Sequence, residues 1–322
     1  MLDNLSRSER NFLTAGAERL CERRADAEWI AAALRDPTTR VVPVWRARNL
    51  MVIDVEPRAL LLSTAELSAP ELEQAMLLGE RDGVRYFAVD LSDRDEAELP
   101  APRGGGFHDL REHGGVLEPR EATLLAHARA LHHWHRRHAY CGDCGAPTRS
   151  IESGHQRQCM RKACGARHFP RTDPAVIVLV LDGDDEDPGQ RCLLGRPAAW
   201  PAGLYSTVAG FVEPGETVEQ AVAREVREET GVRLDAVHYR SSQPWPFPSS
   251  IMLGFTAHAA TTAIQRNDNE LEDARWLTRA DIAAEVHAGT LRLPRRISIA
   301  HRLVEDWYDA GRAGALRELL AR

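Results

Sequence analysis

The spacing of apolar residues changes along the chain, and the changes predict its elements. Leu13, Ala17 and Leu20 fall in helical phase and predict a helical opening, after which residues 41–45 and 50–55 read as strands. Residues 121–138 return to the helical period, with Leu124, Leu125, Ala128, Leu131 and Trp134 on one face. From Ala175 the strand pattern resumes: residues 175–181, a turn through the acidic run 182–189, residues 191–194, and then a glycine-punctuated helix. The chain shows no self-similarity at a solenoid period. Strands and helices distributed in this way predict an α+β protein. Its expected parts are an N-terminal α+β domain over residues 1–120, a linking helix over 121–140, a cysteine-bearing module over 141–170 and a C-terminal domain over 171–322.

Composition then removes several classes. With 43% hydrophobic and 28% charged residues in 322, the chain can bury sizeable cores. No apolar run approaches the roughly 18 residues that a membrane helix needs. The segment Met1-Leu2-Asp3-Asn4-Leu5-Ser6 has no basic stretch leading into an apolar block, and six cysteines are few for a disulfide scaffold, so a cytoplasmic protein is expected. A net charge of -7 argues against coating nucleic acid or anionic membrane with the whole surface. Lys162 is the single lysine, which excludes a G-x4-G-K-[ST] phosphate loop and a Schiff-base lysine elsewhere. The breaker-rich segment 100–106 lacks the G-x-G-x-x-G spacing, and the acidic run 182–189 lacks the spaced ligands of an EF-hand, so both read as turns. His132, His133, His135 and His138 read as a solvated, partly stacked helix surface rather than a metal site.

The cysteines carry the first chemistry. Cys141-Gly-Asp-Cys144 is a C-x2-C turn, and Cys159-x4-Cys164 follows after fourteen residues. Tetrahedral Zn2+ takes four thiolates at about 2.3 Å, and two cysteine turns joined by a short hairpin can supply them. Glycines at 142, 145 and 165 let the backbone fold round the sulfurs. Four protein ligands leave no place for water, so the expected zinc holds structure and does no chemistry. Cys21 and Cys192 fall outside this set and are expected as ordinary buried thiols. Between Cys141 and Arg171 six basic residues face two acidic ones, which suits a polyphosphate or an RNA end as well as a plain solvated surface.

The most informative segment is Gly210-x5-Glu216-x7-Arg224-Glu225-Val226-Arg227-Glu228-Glu229-Thr230-Gly231-Val232. On a helix Glu228 lies about 60° from Glu225 and Glu229 about 40° the other way, so the three carboxylates share a face. Such crowding raises their pKa values unless a cation sits among them, and an oxygen-only anionic cluster suits Mg2+ or Mn2+. Arg224 can pair with Glu228, and Val226 turns to the core. An ordinary Glu- and Arg-rich surface helix would share these features.

This segment resembles the signature of the Nudix hydrolases, G-x5-E-x7-R-E-U-x-E-E-x-G-U with U aliphatic, at every specified position. The resemblance implies a Nudix α/β/α sandwich with a mixed sheet, preceded here by a zinc ribbon and the N-terminal α+β domain. It further implies attack of water, activated by divalent ions, on a diphosphate linked to a nucleoside. Carried over, Glu225, Glu228 and Glu229 are the catalytic metal carboxylates, the carbonyl of Ala209 is a further ligand, and Glu270 within Asn269-Glu270-Leu271-Glu272 is an outlying one. Glu228 is taken as the base, although that role varies across the family.

Substrate choice rests on a second motif. Ser242-Gln243-Pro244-Trp245-Pro246-Phe247-Pro248-Ser249-Ser250 resembles the S-Q-P-W-P-F-P-x-S signature of the NADH pyrophosphatase subfamily. Its prolines stiffen a loop in which Gln243, Ser249 and Ser250 offer polar contacts beside Trp245 and Phe247, a wall suited to a dinucleotide. The resemblance covers residues 107–322, departing from many members only in the longer second cysteine turn. It implies that Phe169 and Phe211 stack on a substrate ring, that Ala300 gives a backbone contact, and that the chain forms a homodimer. The implied reaction is NAD(H) plus water giving NMN(H) and AMP, with removal of the NAD cap from RNA 5′ ends as the same chemistry. Two other readings stand beside it: a Nudix pyrophosphatase for ADP-ribose or a diadenosine polyphosphate, and a zinc-ribbon RNA-binding regulator whose Nudix domain is inactive.

Overall fold

A computed structural model describes residues 11–14, 16–100, 104–185, 187–266, 270–311 and 314–321. It divides into two compact units: Leu13–Thr172 with Pro244–Ser249, and the described part of Met1–Phe12 with Asp173–Gln243 and Ser250–Arg322. Residues 1–6, residues 101–103 of the breaker-rich segment, Glu186 of the acidic turn and Asn269 lie outside the described residues.

The first unit opens without the expected helix. Leu13 and Leu20 adopt left-handed backbone angles, φ 71° and 46°, and Glu18 pairs instead with Glu80 as an isolated bridge. Three residues in phase are a weak local signal, and burial of Leu13 together with the bridge outweighs it. Helix α1 (Ala27–Arg35) follows, then strands β1 (Arg40–Trp45), β2 (Arg48–Val52), β3 (Arg58–Ala59), β4 (Met76–Arg81), β5 (Val84–Asp90) and β6 (Gly106–His108). Their order is β3-β2-β1-β5-β4, with β6 also on β2 and the β1–β5 pair parallel. Arg46 and Ala47, at φ 48° and 62°, make the two-residue β1–β2 turn, whose positive angles match the twist of a hairpin. Val41, Leu50, Leu77, Phe87 and Val89 build the core of this sheet.

Helix α2 (Pro119–Arg137) covers nearly the expected span, with Pro119 in its first turn and the Glu118 carboxylate capping the amides of Arg120 and Glu121. Ala122, Leu125, Ala128, Leu131 and Trp134 are buried. His138 lies against the Trp134 ring at 5.1 Å, a stacked position as expected, but His132 and His135 depart from a solvated surface. His132 is buried against Ser92 and Asp90, and His135 contacts the Gly154 carbonyl at 2.7 Å and Arg157 at 2.7 Å. Burial brings His135 down to about 4, so it sits neutral in the fold at neutral pH. Strands β7 (Thr148–Ile151), β8 (Gln156–Cys159) and β9 (Arg167–His168) then form a separate three-stranded sheet. Cys21 also departs from expectation. It is exposed, in the short turn Cys21–Arg23 that buries none of its residues, whereas Cys192 is buried as expected.

The second unit is the mixed sheet that the resemblance implied. Strands β10 (Asp173–Asp182), β11 (Arg191–Arg196), β12 (Val208–Phe211), β13 (Leu234–Trp245), β14 (Ser250–Ala259) and β15 (Asp273–Thr278) stand in the order β13-β14-β10-β11-β15, with β12 also on β10. The long central pair β10–β14 is parallel. Period-two alternation in β10 feeds both faces. Val176, Val178 and Val180 meet Ala221, Val222 and Val226 of helix α3 (Val218–Thr230), while Ile177, Leu179 and Leu181 meet Ile299, Leu303 and Val304 of helix α4 (Ile299–Ala310). The fold is thus an α/β/α sandwich. The acidic run closes the β10–β11 hairpin, with Asp182 opposite Arg191. The helix expected straight after residue 194 comes later, because β12 intervenes.

Candidate active site and zinc module

The four cysteines converge. Their sulfurs all lie within 4.8 Å of one another, with Cys141–Cys164 at 3.9 Å and Cys144–Cys159 at 3.5 Å. A tetrahedral ion bonded at about 2.3 Å spaces its sulfurs by about 3.8 Å, so the set fits zinc. Both turns close on a glycine in the left-handed region: Gly145 at φ 70° donates to the Cys141 carbonyl at 2.9 Å, and Gly165 at φ 60° to that of Arg161 at 3.0 Å. The second turn, longer by two residues, therefore tightens on Arg161 and still delivers both sulfurs. The Ala146 amide beside Cys144 brings its thiol down to about 7, whereas burial pushes that of Cys159 up to about 12. His168 Nε2 stands 3.3 Å from Cys141 Sγ.

The carboxylates are arranged by one arginine. Thr217 and Gln220 form the capping box that starts α3, and Gly231 at φ 73° ends it. From the second turn Arg224 reaches Glu216 through Nε at 3.1 Å and Nη2 at 2.6 Å, Glu225 through Nη1 at 2.9 Å, and Glu228 through the same atom at 3.1 Å. It also donates to the Phe211 carbonyl at 2.9 Å. Glu216 accepts from the Glu213 amide at 2.7 Å, so the box glutamate that stands apart from the other three locks the loop before the helix. With three carboxylates around it, Arg224 is held above the ordinary arginine range, and Glu216 below the usual carboxylate range. Glu225 moves the other way. Burial raises it first, the negative charges of Glu228 and Glu270 add to the rise, and Arg224 opposes them. Glu270 therefore shares the field of the helix carboxylates.

The box glycine has a direct reason. A Cβ on Gly210 would stand 2.0 Å from the Glu225 carboxylate, so that carboxylate rests on the bare backbone of β12. Ala209 and Phe211 flank it on the same strand, and the Phe211 ring is 61% exposed. Glu229 is buried at 5% exposure, while Glu228 is open to solvent. Among the described residues only the four cysteines bring their ligand atoms within 4.8 Å of one another; Glu225, Glu228, Glu229 and Glu270 do not gather so closely.

Other expected site residues fall differently. Gln243, expected at the substrate, is buried. Its Nε2 donates to the carbonyls of Phe12 at 2.8 Å and Ile297 at 2.7 Å, and its Oε1 accepts from Ile299 at 2.8 Å, so its contacts are with the fold. Ala300 is 1% exposed, and its amide donates to the Ser298 cap. Ser250 opens β14. Phe169, 49% exposed, and the loop Pro244–Ser249 belong to the first unit. Within that loop the Trp245 and Phe247 rings meet edge to face at 5.0 Å. Arg129, which donates to the Pro246 carbonyl of that loop, had no sequence signal, because an isolated arginine on a helix carries no motif.

A box of carboxylates on an α/β/α sandwich, joined in one chain to a four-thiolate module, is the design of a Nudix hydrolase with a zinc ribbon. The chain matches the NUDIX domain model over residues 171–296, the NADH pyrophosphatase zinc ribbon domain over 136–169, and the NADH pyrophosphatase-like rudimentary NUDIX domain over 38–134. The "NAD-capped RNA hydrolase NUDT12" of Macaca fascicularis is 42% identical over 350 residues, covering 95% of this chain and 75% of that protein. The "NAD-capped RNA hydrolase NudC" of Mycobacterium bovis is 37% identical over 302 residues, 91% of this chain and 92% of that one. A solved NUDIX hydrolase from Nitrosomonas europaea aligns over 55% of this chain and 93% of its own at 21% identity and TM-score 0.41. The chain belongs to the Nudix hydrolases, in the zinc-ribbon NADH pyrophosphatase group. A Nudix domain implies dependence on a divalent metal ion. The rudimentary NUDIX match covers the N-terminal region, whose residues carry no catalytic motif.

Proposed function

We propose that the chain hydrolyses the diphosphate of NAD(H) to NMN(H) and AMP and removes the NAD cap from RNA 5′ ends. The observation that carries this is the Arg224 network, which ties Glu216, Glu225, Glu228 and the Phe211 carbonyl together while the Phe211 ring stays open to solvent beside them. The similarity to the NAD-capped RNA hydrolases of Macaca fascicularis and Mycobacterium bovis supports the same substrate. Glu225, Glu228, Glu229, Glu270 and the Ala209 carbonyl would hold Mg2+ or Mn2+, which when bound neutralises diphosphate oxygens and makes water more acidic. Arg224 ties Glu216, Glu225 and Glu228 together and holds Glu216 ionised. Glu228, exposed and joined to Arg224 Nη1, is taken as the base that receives the proton from the attacking water. The Phe211 ring offers a stacking face for a base of the dinucleotide.

The proposal extends to organisation. Residues 1–120, 121–140, 141–170 and 171–322 are read as N-terminal domain, linking helix, zinc ribbon and Nudix domain. The chain acts as a homodimer, consistent with the exposed Tyr140, Met160 and Phe169 of the ribbon region. Phe169, the loop Pro244–Ser249 and Ser250 remain assigned to substrate contacts by resemblance. A reducing, cytoplasmic setting suits six cysteines that form no disulfide. Among the described residues no helix is long and apolar enough to cross a membrane.

Cutting Phe211 back to alanine tests the substrate reading. Loss of a stacking face worth about 1 kcal/mol or more lowers kcat/KM for NADH about tenfold. Hydrolysis of ADP-ribose, which lacks the second base, falls less. Equal losses on both substrates would mean that the ring only packs.

A further inference from the structure

Pro244 and Trp245 end β13, and the segment turns through Pro246–Ser249 into β14. Pro244, Pro246 and Pro248 have no amide to donate, and Phe247 donates back to the Trp245 carbonyl at 2.8 Å. A side chain 117 residues earlier also holds it. Arg129 of α2 donates from Nε to the Pro246 carbonyl at 3.1 Å, and its guanidinium carbon stands 5.0 Å from the centre of the Phe247 ring. The other end of the same fork is anchored in the N-terminal domain, where Nη1 donates to the Ala47 carbonyl in the β1–β2 turn and to Asp109 Oδ1 at 3.3 Å. Asp109 is itself held, since it accepts from the Arg111 amide at 2.9 Å. The Arg129 side chain is 12% exposed. Arg129, Phe247 and Trp245 therefore form a row of one cation and two rings, footed on the hairpin turn of the rudimentary NUDIX domain.

We propose that Arg129 is a positioning residue that holds the proline-aromatic loop in its substrate-meeting form, so that the N-terminal domain takes part in choosing the dinucleotide. This rests on the reading that the loop contacts the substrate. Arg129 acts through Phe247 and Pro246 and touches no reacting atom. A lysine keeps the charge but loses the planar fork whose Nε and Nη1 serve the Pro246 and Ala47 carbonyls from separate atoms and whose flat face meets the Phe247 ring.

The test compares Arg129→Lys, Trp245→Ala and the double variant in steady-state kinetics on NADH and on ADP-ribose, with melting curves as a check on folding. Arg129→Lys raises KM for NADH about tenfold and leaves kcat within about twofold, as expected when binding that is equal in ground and transition states is lost. KM for ADP-ribose moves less. Trp245→Ala raises KM for NADH similarly, and the double variant is no worse than Trp245→Ala alone, because both changes act through one loop. If Trp245→Ala raises KM and Arg129→Lys does not, the loop reading stands and the role of Arg129 is overturned. If Trp245→Ala itself leaves KM for NADH unchanged, the loop reading fails and the proposal falls with it. Equal KM rises on both substrates, or a fall in kcat with lost melting stability, would make Arg129 a general structural residue and also overturn it.

Discussion

Glu228→Gln and Glu229→Gln each lower turnover about a hundredfold or more while the fold survives, because a divalent ion and the water it activates supply several kcal/mol of the barrier reduction. Glutamine keeps the length and shape of the side chain and removes the charge. At Glu228 the effect falls on an exposed carboxylate that Arg224 aims and that Val226, its buried neighbour on the helix, does not need for packing. Arg224 retains Glu216 and Glu225 as partners in that variant, so the loop and helix stay joined. At Glu229 the side chain is buried, and the amide fills the same space. The check is kcat at saturating Mg2+ beside circular dichroism and melting. Near-normal turnover in both variants, at any ion concentration, would overturn the assignment of the carboxylates.

Cys144→Ser acts on the other metal and on stability rather than chemistry. A serine hydroxyl does not ionise near neutral pH, so the site keeps three thiolates and loses its tetrahedral set. The module around it is small: β7 and β8 have four residues each and β9 has two, and few of these residues are buried. With so little core, the energy of metal binding is folding energy. Elemental analysis is expected to find about one zinc per chain in the wild type and far less in the variant, with a lower melting temperature. Cys21→Ser, at an exposed cysteine outside the set, keeps its zinc. A wild type without zinc, or a Cys144→Ser protein that retains it, would contradict the structural role.

The sequence was most legible where chemistry and local geometry coincide. Glu225, Glu228 and Glu229 sit within five residues of one helix, and the Arg224–Glu228 pair expected from the helical period is present. The cysteine turns were legible for the same reason. The strand expected over 175–181 is β10, longer by two residues at its start and one at its end. Illegible features depend on partners distant in sequence. Leu13 and Leu20 leave helical phase because of burial and a bridge to Glu80. Gln243 turns from an expected substrate contact into a buried tie to Phe12, Ile297 and Ile299, neighbours that no local pattern reveals. His132 looked solvated on its own helix and is buried by Ser92 and Asp90 of another segment. Arg129 belongs to the same kind.

The most direct test of the account is product analysis of the purified protein with its divalent ion, given NADH, NAD-capped RNA and ADP-ribose side by side. NADH is expected to give NMNH and AMP, and the capped transcript NMN with a 5′-monophosphate RNA, with ADP-ribose cleaved more slowly than either. Faster cleavage of ADP-ribose, with NADH and the cap left intact, would contradict it.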